Sequence, residues 1–211
     1  LCELEDKYNS ARQKQNSIVI ILDDDPTGIQ TVHHLNVYNS WDETTISTIF
    51  HRGEHAFIHT NSRSMNADEA EKVNREIVRR IIKASKRHEK TFELVSRSDS
   101  TLRGHFPLET LALKNELEQA TGKKINGEVI IPFFPEGGRF TMNDIHYVKD
   151  EELLIPAGET EFACDPDFGY KNSDLKLYIQ EKTQNAYNSE EVLSVSLEML
   201  REQRYDDICN I

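Results

Sequence analysis

The amino-acid sequence predicts an α/β fold: a parallel-dominated open sheet flanked by helices, with a long loop-rich insertion over the carboxyl edge. Three observations carry this. Ser17–Asp23 (SIVIILD) is a β-branched apolar run ending in acids, then Pro and Gly, as a buried parallel strand feeding a loop does. Strand-like and helix-like segments then alternate as far as Ile131, which sets the strands side by side in one sheet. From residue 133 to 174 the regularity yields to Gly, Pro and Asp. Seven aromatic residues punctuate that stretch, so it reads as an ordered, functional excursion.

The elements follow in order. Leu35–Tyr38 and His55–Thr60 read as strands, with a short helix at Trp41–Phe50 between them. Ala67–Lys86 is the strongest helix: Asn66 supplies an N-cap, and Ala70, Val73, Ile77, Ile81 and Ile82 recur on one face. Phe92–Ser96 is the next strand, and Pro107–Ala120 the next helix, with Pro107 in its first turn. Glu128–Ile131 reads as a further short strand. Within 133–174, short antiparallel strands are expected near Tyr147 and Leu154. Leu175–Lys182 and Leu197–Arg204 are helical, with a strand at Val192–Val195 between them. No repeat, low-complexity tract or linker divides the chain.

Composition narrows the function. The net charge of −12 argues against nucleic acid, whose phosphates need a basic face. The longest apolar run, Ile18 to Leu22, is far short of the roughly 20 residues of a membrane span. Residues 1–15 are too polar for a secretory leader. Three widely spaced cysteines (Cys2, Cys164, Cys209) form no disulfide framework, so reduced thiols and a cytoplasmic location are expected.

Four segments carry candidate chemistry. Asp23-Asp24-Asp25-Pro26-Thr27-Gly28 follows the first strand, where ligands of open α/β sheets bind. Two of its carboxylates can grip substrate hydroxyls, one as a general base; the plainer alternative is an acidic turn with Asp25 or Thr27 as a cap. Ser96 to His105 packs Arg97, Arg103, His105 and four hydroxyls into ten residues before a helix, which suits an anion. Pro132 to Arg139 places Gly137 and Gly138 before Arg139, where backbone can approach a ligand. Thr60-Asn61-Ser62-Arg63-Ser64 follows the third strand and, alone, is an ordinary strand-to-helix loop. All four follow expected strands, so all can meet at one sheet edge. Other signals are set aside. His51, His55 and His59 are not on one helix, His33-His34 reads as a partly buried pair, Asp165 to Gly169 lacks the calcium-loop spacing, and no nucleotide motif is present. No metal site is predicted.

Together these segments resemble the N-terminal domain of the four-carbon acid sugar kinase family. The matching stretches include DDDPTGIQTVH (23–33), TNSRS (60–64), SRSDSTLRGHFPLET (96–110), IPFFPEGGRFT (131–141), HYV (146–148), PAGETEFACDPDFGY (156–170) and EKT (181–183). The resemblance implies the substrate-binding half of an ATP-dependent kinase that phosphorylates a tetronate or oxo-tetronate. ATP and Mg²⁺ would be held mainly by a C-terminal nucleotide-binding domain absent from this chain, so the piece alone is expected to be inactive. It implies an extension at 1–16 and an acid-sugar-binding domain at 17–211, incomplete at its C-terminus.

Asp24 and Asp25 fall on the family's Asp-Asp-x-Thr-Gly signature as the catalytic pair, Asp25 preferred as base and Asp23 a spectator. Arg103 and Arg139 fall on its STLRG and GGR motifs, consistent with holding the substrate carboxylate. Asn61, Ser62, Arg63, Asp99, Ser100, His105 and Gly138 complete the expected substrate contacts. The expected partner is a small anionic sugar acid, with no nucleic acid, no membrane, and room for a homodimer. The alternatives are a stand-alone sugar-acid sensor and, without a ligand set to support it, a metal-dependent aldolase or dehydratase.

Overall fold

β1 (Ser17–Asp23) lies inside a sheet of four parallel strands in the computed structural model, which describes Ser10, residues 17–29 and residues 32–211. Apart from Ser10, the expected extension at 1–16 falls outside the described residues. The residues group into two compact units: Leu1–Asp99 with Gly104–Glu128, and Ser100–Arg103 with Val129–Ile211.

In the first unit β1 pairs with β3 (Ala56–His59) on one side and β4 (Thr91–Arg97) on the other; β2 (Asn36–Tyr38) lies outside β3. The register sets Asp23 opposite both His59 and Arg97, so three carboxyl ends finish level. Ile18, Ile20 and Leu22 of β1 are buried against Ile46, Ile49 and Phe50 of α1 (Glu43–Arg52) and Ile77, Val78 and Ile81 of α2 (Ala67–His88). Leu113 of α3 (Leu108–Thr121) joins the same core. Each such side chain contributes about 1.5–3 kcal/mol when fully buried. Asn66 caps α2 in a capping box with Glu69.

The second unit contains the stretch 133–174 that was expected to be loop-rich. β5 (Arg139–Met142), β6 (Ile145–Asp150) and β7 (Leu153–Pro156) form an antiparallel sheet. β6 and β7 lie where short strands were expected; β5 was not anticipated. Asn143 and Asp144, both at positive φ, make the two-residue turn between β5 and β6. α4 (Leu175–Lys182) has the predicted bounds and is capped by Asp174.

Three expectations fail here and one in the first unit. Glu128–Ile131 is not a strand: Val129 and Ile131 are 82% and 78% exposed, and no described residue forms a ladder with them. Val192–Val195 is irregular for the same want of a partner strand. The helix expected over Leu197–Arg204 is shorter: α5 (Leu197–Arg201) ends before Gln203, which adopts positive φ, and α6 (Tyr205–Cys209) follows beyond the expected span. His33 and His34, in the first unit, are exposed rather than partly buried.

Candidate functional site

In the first unit the carboxyl ends of β1, β3 and β4 gather the acidic segment and the TNSRS turn, as the switch in strand order favours. Asp24, 2% exposed, takes a forked pair of bonds from Arg63, Nε to Oδ2 at 3.0 Å and Nη2 to Oδ1 at 2.6 Å. Ser98 Oγ donates to the same Oδ2 at 2.8 Å. The second amino group of Arg63 lies 3.3 Å from Asp25 and 3.9 Å from Asp99. Three carboxylates therefore converge on one guanidinium, which leaves the cluster anionic. That charge suits hydroxyl donors better than a second anion.

The three adjacent acids have different fates. Asp23 is fully buried; Oδ1 accepts from Arg97 at 3.0 Å, while Oδ2 has no partner. Burial pushes its carboxyl above the ordinary value and Asp24 adds to this, against the opposing charge of Arg97. Burial would also raise Asp25, but hydrogen bonds from the Thr27 hydroxyl and amide, with Arg63 and His59, outweigh it and hold the carboxyl below its usual value. Asp23, the expected spectator, thus carries a raised carboxyl, with burial the main cause.

A buried network that the sequence did not suggest locks the TNSRS turn. Asn61 sits at positive φ and donates to Ser64 Oγ. Ser62 Oγ donates to Glu109 Oε1 at 2.5 Å, and Asn74 Nδ2 donates to that same oxygen at 3.1 Å. Burial raises the Glu109 carboxyl above its usual range, against the opposing bonds from Ser62 and Asn74. Thr60 Oγ1 donates to the Asp23 carbonyl at 3.0 Å, tying the turn to β1. His105 is held at the Met65 carbonyl, 3.0 Å from Nε2.

The second unit carries the cations. The guanidinium carbons of Arg103 and Arg139 lie 5.0 and 5.4 Å from the ring centre of Phe162, both within cation–π range. Arg103 donates to Thr101 Oγ1 at 3.1 Å and faces Asp165 at 3.8 Å. Arg139 donates to the Gly137 carbonyl, and its buried Nε has no partner. Gly138, at positive φ, forms the tight turn into β5.

The segment bearing Ser100 and Arg103 is fixed by three successive carbonyls. Ser100 O accepts from His146 at 2.7 Å, Thr101 O from Tyr170 at 2.7 Å and Leu102 O from Tyr178 at 2.9 Å. All three donors are buried. No group of three or more metal-binding side chains occurs among the described residues.

The sequence profile described as "Sugar-binding N-terminal domain" matches residues 19–206. The chain belongs to this family, the sugar-binding N-terminal domain of the four-carbon acid sugar kinases. A solved domain of unknown function from Bordetella bronchiseptica, with bound citrate and in a domain-swapped dimer, is similar at 27% identity and a TM-score of 0.57. The match covers 77% of this sugar-binding domain and 40% of that chain. A search among curated proteins found no match. No described helix is long and apolar enough to cross a membrane.

Within this sugar-binding domain the predicted residues fall into two groups. Asp24, Asp25, Arg63 and Asp99 meet in the first unit, with Asn61 and Ser62 on the adjoining turn and His105 bound to Met65. Ser100, Arg103, Gly138 and Arg139 belong to the second. The segment of Pro132 to Arg139 follows no strand, since Glu128–Ile131 is not one; it leads instead into antiparallel β5. Glu109, Phe162, His146, Tyr170 and Tyr178 were missed, although every one lies in or beside a matched motif.

Proposed function

We propose that this chain is the acid-sugar-binding half of an ATP-dependent kinase whose substrate is a four-carbon sugar acid, a tetronate or oxo-tetronate. The observation that carries the reading is the arginine pair of the second unit, with an acceptor-rich carboxylate cluster in the first as a separate feature. Arg103 and Arg139 on Phe162 form a cationic pair with an unpartnered buried N–H, which a carboxylate would satisfy. Asp24, Asp25 and Asp99 around Arg63 form an anionic, acceptor-rich cluster, which hydroxyls would satisfy. A sugar acid bears both kinds of group. Citrate, bound by the Bordetella relative, is likewise a hydroxylated carboxylate.

Asp25 then orients a substrate hydroxyl and accepts its proton, while Asp24, immobilised by Arg63 and Ser98, accepts a second hydroxyl. ATP and Mg²⁺ would come from a nucleotide-binding domain elsewhere in the polypeptide, since phosphoryl transfer asks of this half mainly positioning. A homodimer is compatible with the relative's assembly, and a cytoplasmic location with this chemistry.

The test is ATP-dependent phosphoryl transfer to threonate, erythronate and 3-oxo-tetronates by a polypeptide that joins this domain to its nucleotide-binding partner. Turnover with one of them supports the proposal. Tetronate binding without turnover on any would favour the non-catalytic sensor.

A further inference from the structure

We infer that Lys182 is a positioning residue of the proposed carboxylate site: with Glu181 it clamps the strap, residues 162–172, that sets Phe162 beneath both guanidiniums and Asp165 beside Arg103. The inference rests on the reading of Arg103 and Arg139 as carboxylate holders.

The strap touches the arginines at two places, the Phe162 ring and the Asp165 carboxylate. Asp165 Oδ1 accepts from the amides of Asp167 and Phe168, both at 3.0 Å, so the turn is closed on itself. Tyr170 ties the strap to the Thr101 carbonyl, and the end of α4 holds its backbone between residues 168 and 172. Lys182 Nζ donates to the carbonyls of Gly169 and Phe168 at 3.3 and 3.5 Å. Glu181 accepts from the amides of Lys171 and Asn172 at 3.0 and 3.2 Å, and from Asn172 Nδ2 at 2.6 Å. Two neighbouring side chains of opposite charge thus take the carbonyls and the amides of one backbone stretch.

Tyr178, one helical turn before Lys182 on α4, donates to the Leu102 carbonyl beside Arg103. One helix face therefore holds both the strap and the segment bearing the arginine. The charge of Lys182 is not idle: burial lowers its ammonium below the ordinary value, and Glu181 and Asp165 oppose that shift. A half-buried cation kept at a cost is kept by what it touches.

The experiment compares native chain, Lys182→Met, Lys182→Arg and Arg139→Ala. Amide hydrogen exchange across the strap is read without ligand, and D-threonate binding is read by calorimetry. Lys182→Met should speed exchange in the strap by about tenfold or more and weaken binding by about tenfold, with Lys182→Arg recovering most of both. Unchanged exchange or unchanged binding in Lys182→Met, or no recovery in Lys182→Arg, overturns the inference. If Arg139→Ala also binds like native, the carboxylate reading has failed instead, and exchange alone decides whether Lys182 holds the strap. Should Lys182→Met not fold, Lys182→Gln, which keeps a donor without the charge, replaces it.

Discussion

Arg139 presents a buried Nε that nothing satisfies, an arrangement that costs about 1–3 kcal/mol until an acceptor arrives. Arg139→Ala and Arg103→Ala should each weaken tetronate binding by roughly 1.5–3 kcal/mol, measured by calorimetry. Lysine at either position should not restore it, since a point charge cannot form the planar fork or stack on Phe162 in the same way. For Asp25, the proposed base, a carboxyl held below its usual value means that it is already ionised through the neutral range. Asp25→Asn in the complete kinase should lower kcat by about 10²–10⁴. The native pH–rate profile should show no acidic limb from Asp25 near neutrality; a limb that disappears in Asp25→Asn would contradict this. These residues were legible because their types announce chemistry. Glu109 was not, for a lone Glu in a predicted helix reads as surface, and only folding brings Ser62 and Asn74 to it. Its raised pKa fixes a sign. The folded chain binds this proton more tightly than the unfolded one, so Glu109 favours the fold in acid, and that contribution is lost as pH rises from 4.5 through the folded value. Glu109→Gln keeps the oxygen that both donors use and removes the charge. Its thermal midpoint relative to native should therefore climb as pH is raised to about 8, followed by calorimetric unfolding.

At the scale of elements, the turn Pro26–Ile29 closes directly over the Asp23–Arg97 pair. A Cβ on Gly28 would overlap Arg97 Nη1 and both Asp23 carboxylate oxygens, and Asp23 is wholly buried and cannot yield. Gly28→Ala should cost about 1–3 kcal/mol by overpacking, visible as a midpoint lower by roughly 2–4 °C per kcal/mol for a chain of this length. Asn66→Ala removes the cap of α2 and should cost about 0.5–2 kcal/mol, read by denaturant unfolding. Elements of the first unit were legible because each carries its own periodicity and punctuation: β1 in its β-branched run, α2 in its apolar face and cap. Glu128–Ile131 and Val192–Val195 misled, since β-branched residues favour a pleated surface but a strand exists only where another backbone completes the ladder. β5 escaped notice because its four residues follow a glycine turn and find their ladder in β6, which comes later in the chain.

At the scale of the whole molecule, the chain carries a net charge of −12 while the proposed substrate is itself an anion. Added salt screens that repulsion and also screens the arginines, so tetronate affinity should fall less steeply with ionic strength than in a basic protein. The partition of the chain has a sharper consequence. Ser100–Arg103 belongs to the second unit although both its neighbours in sequence, Asp99 and Gly104, belong to the first. The second unit is therefore not a contiguous gene segment, and it cannot be excised as one. A polypeptide of residues 129–211 would lack the three carbonyls that His146, Tyr170 and Tyr178 serve, and with them the hydrogen bonds that tie these side chains to the arginine-bearing segment. Synthesised from the N-terminus, the first unit must hold out a four-residue loop before its recipients exist. The donor on β6, His146, follows Arg103 by about 43 residues and that on α4, Tyr178, by about 75. A polypeptide truncated before α4 would therefore deprive the Leu102 carbonyl, beside Arg103, of the Tyr178 hydroxyl.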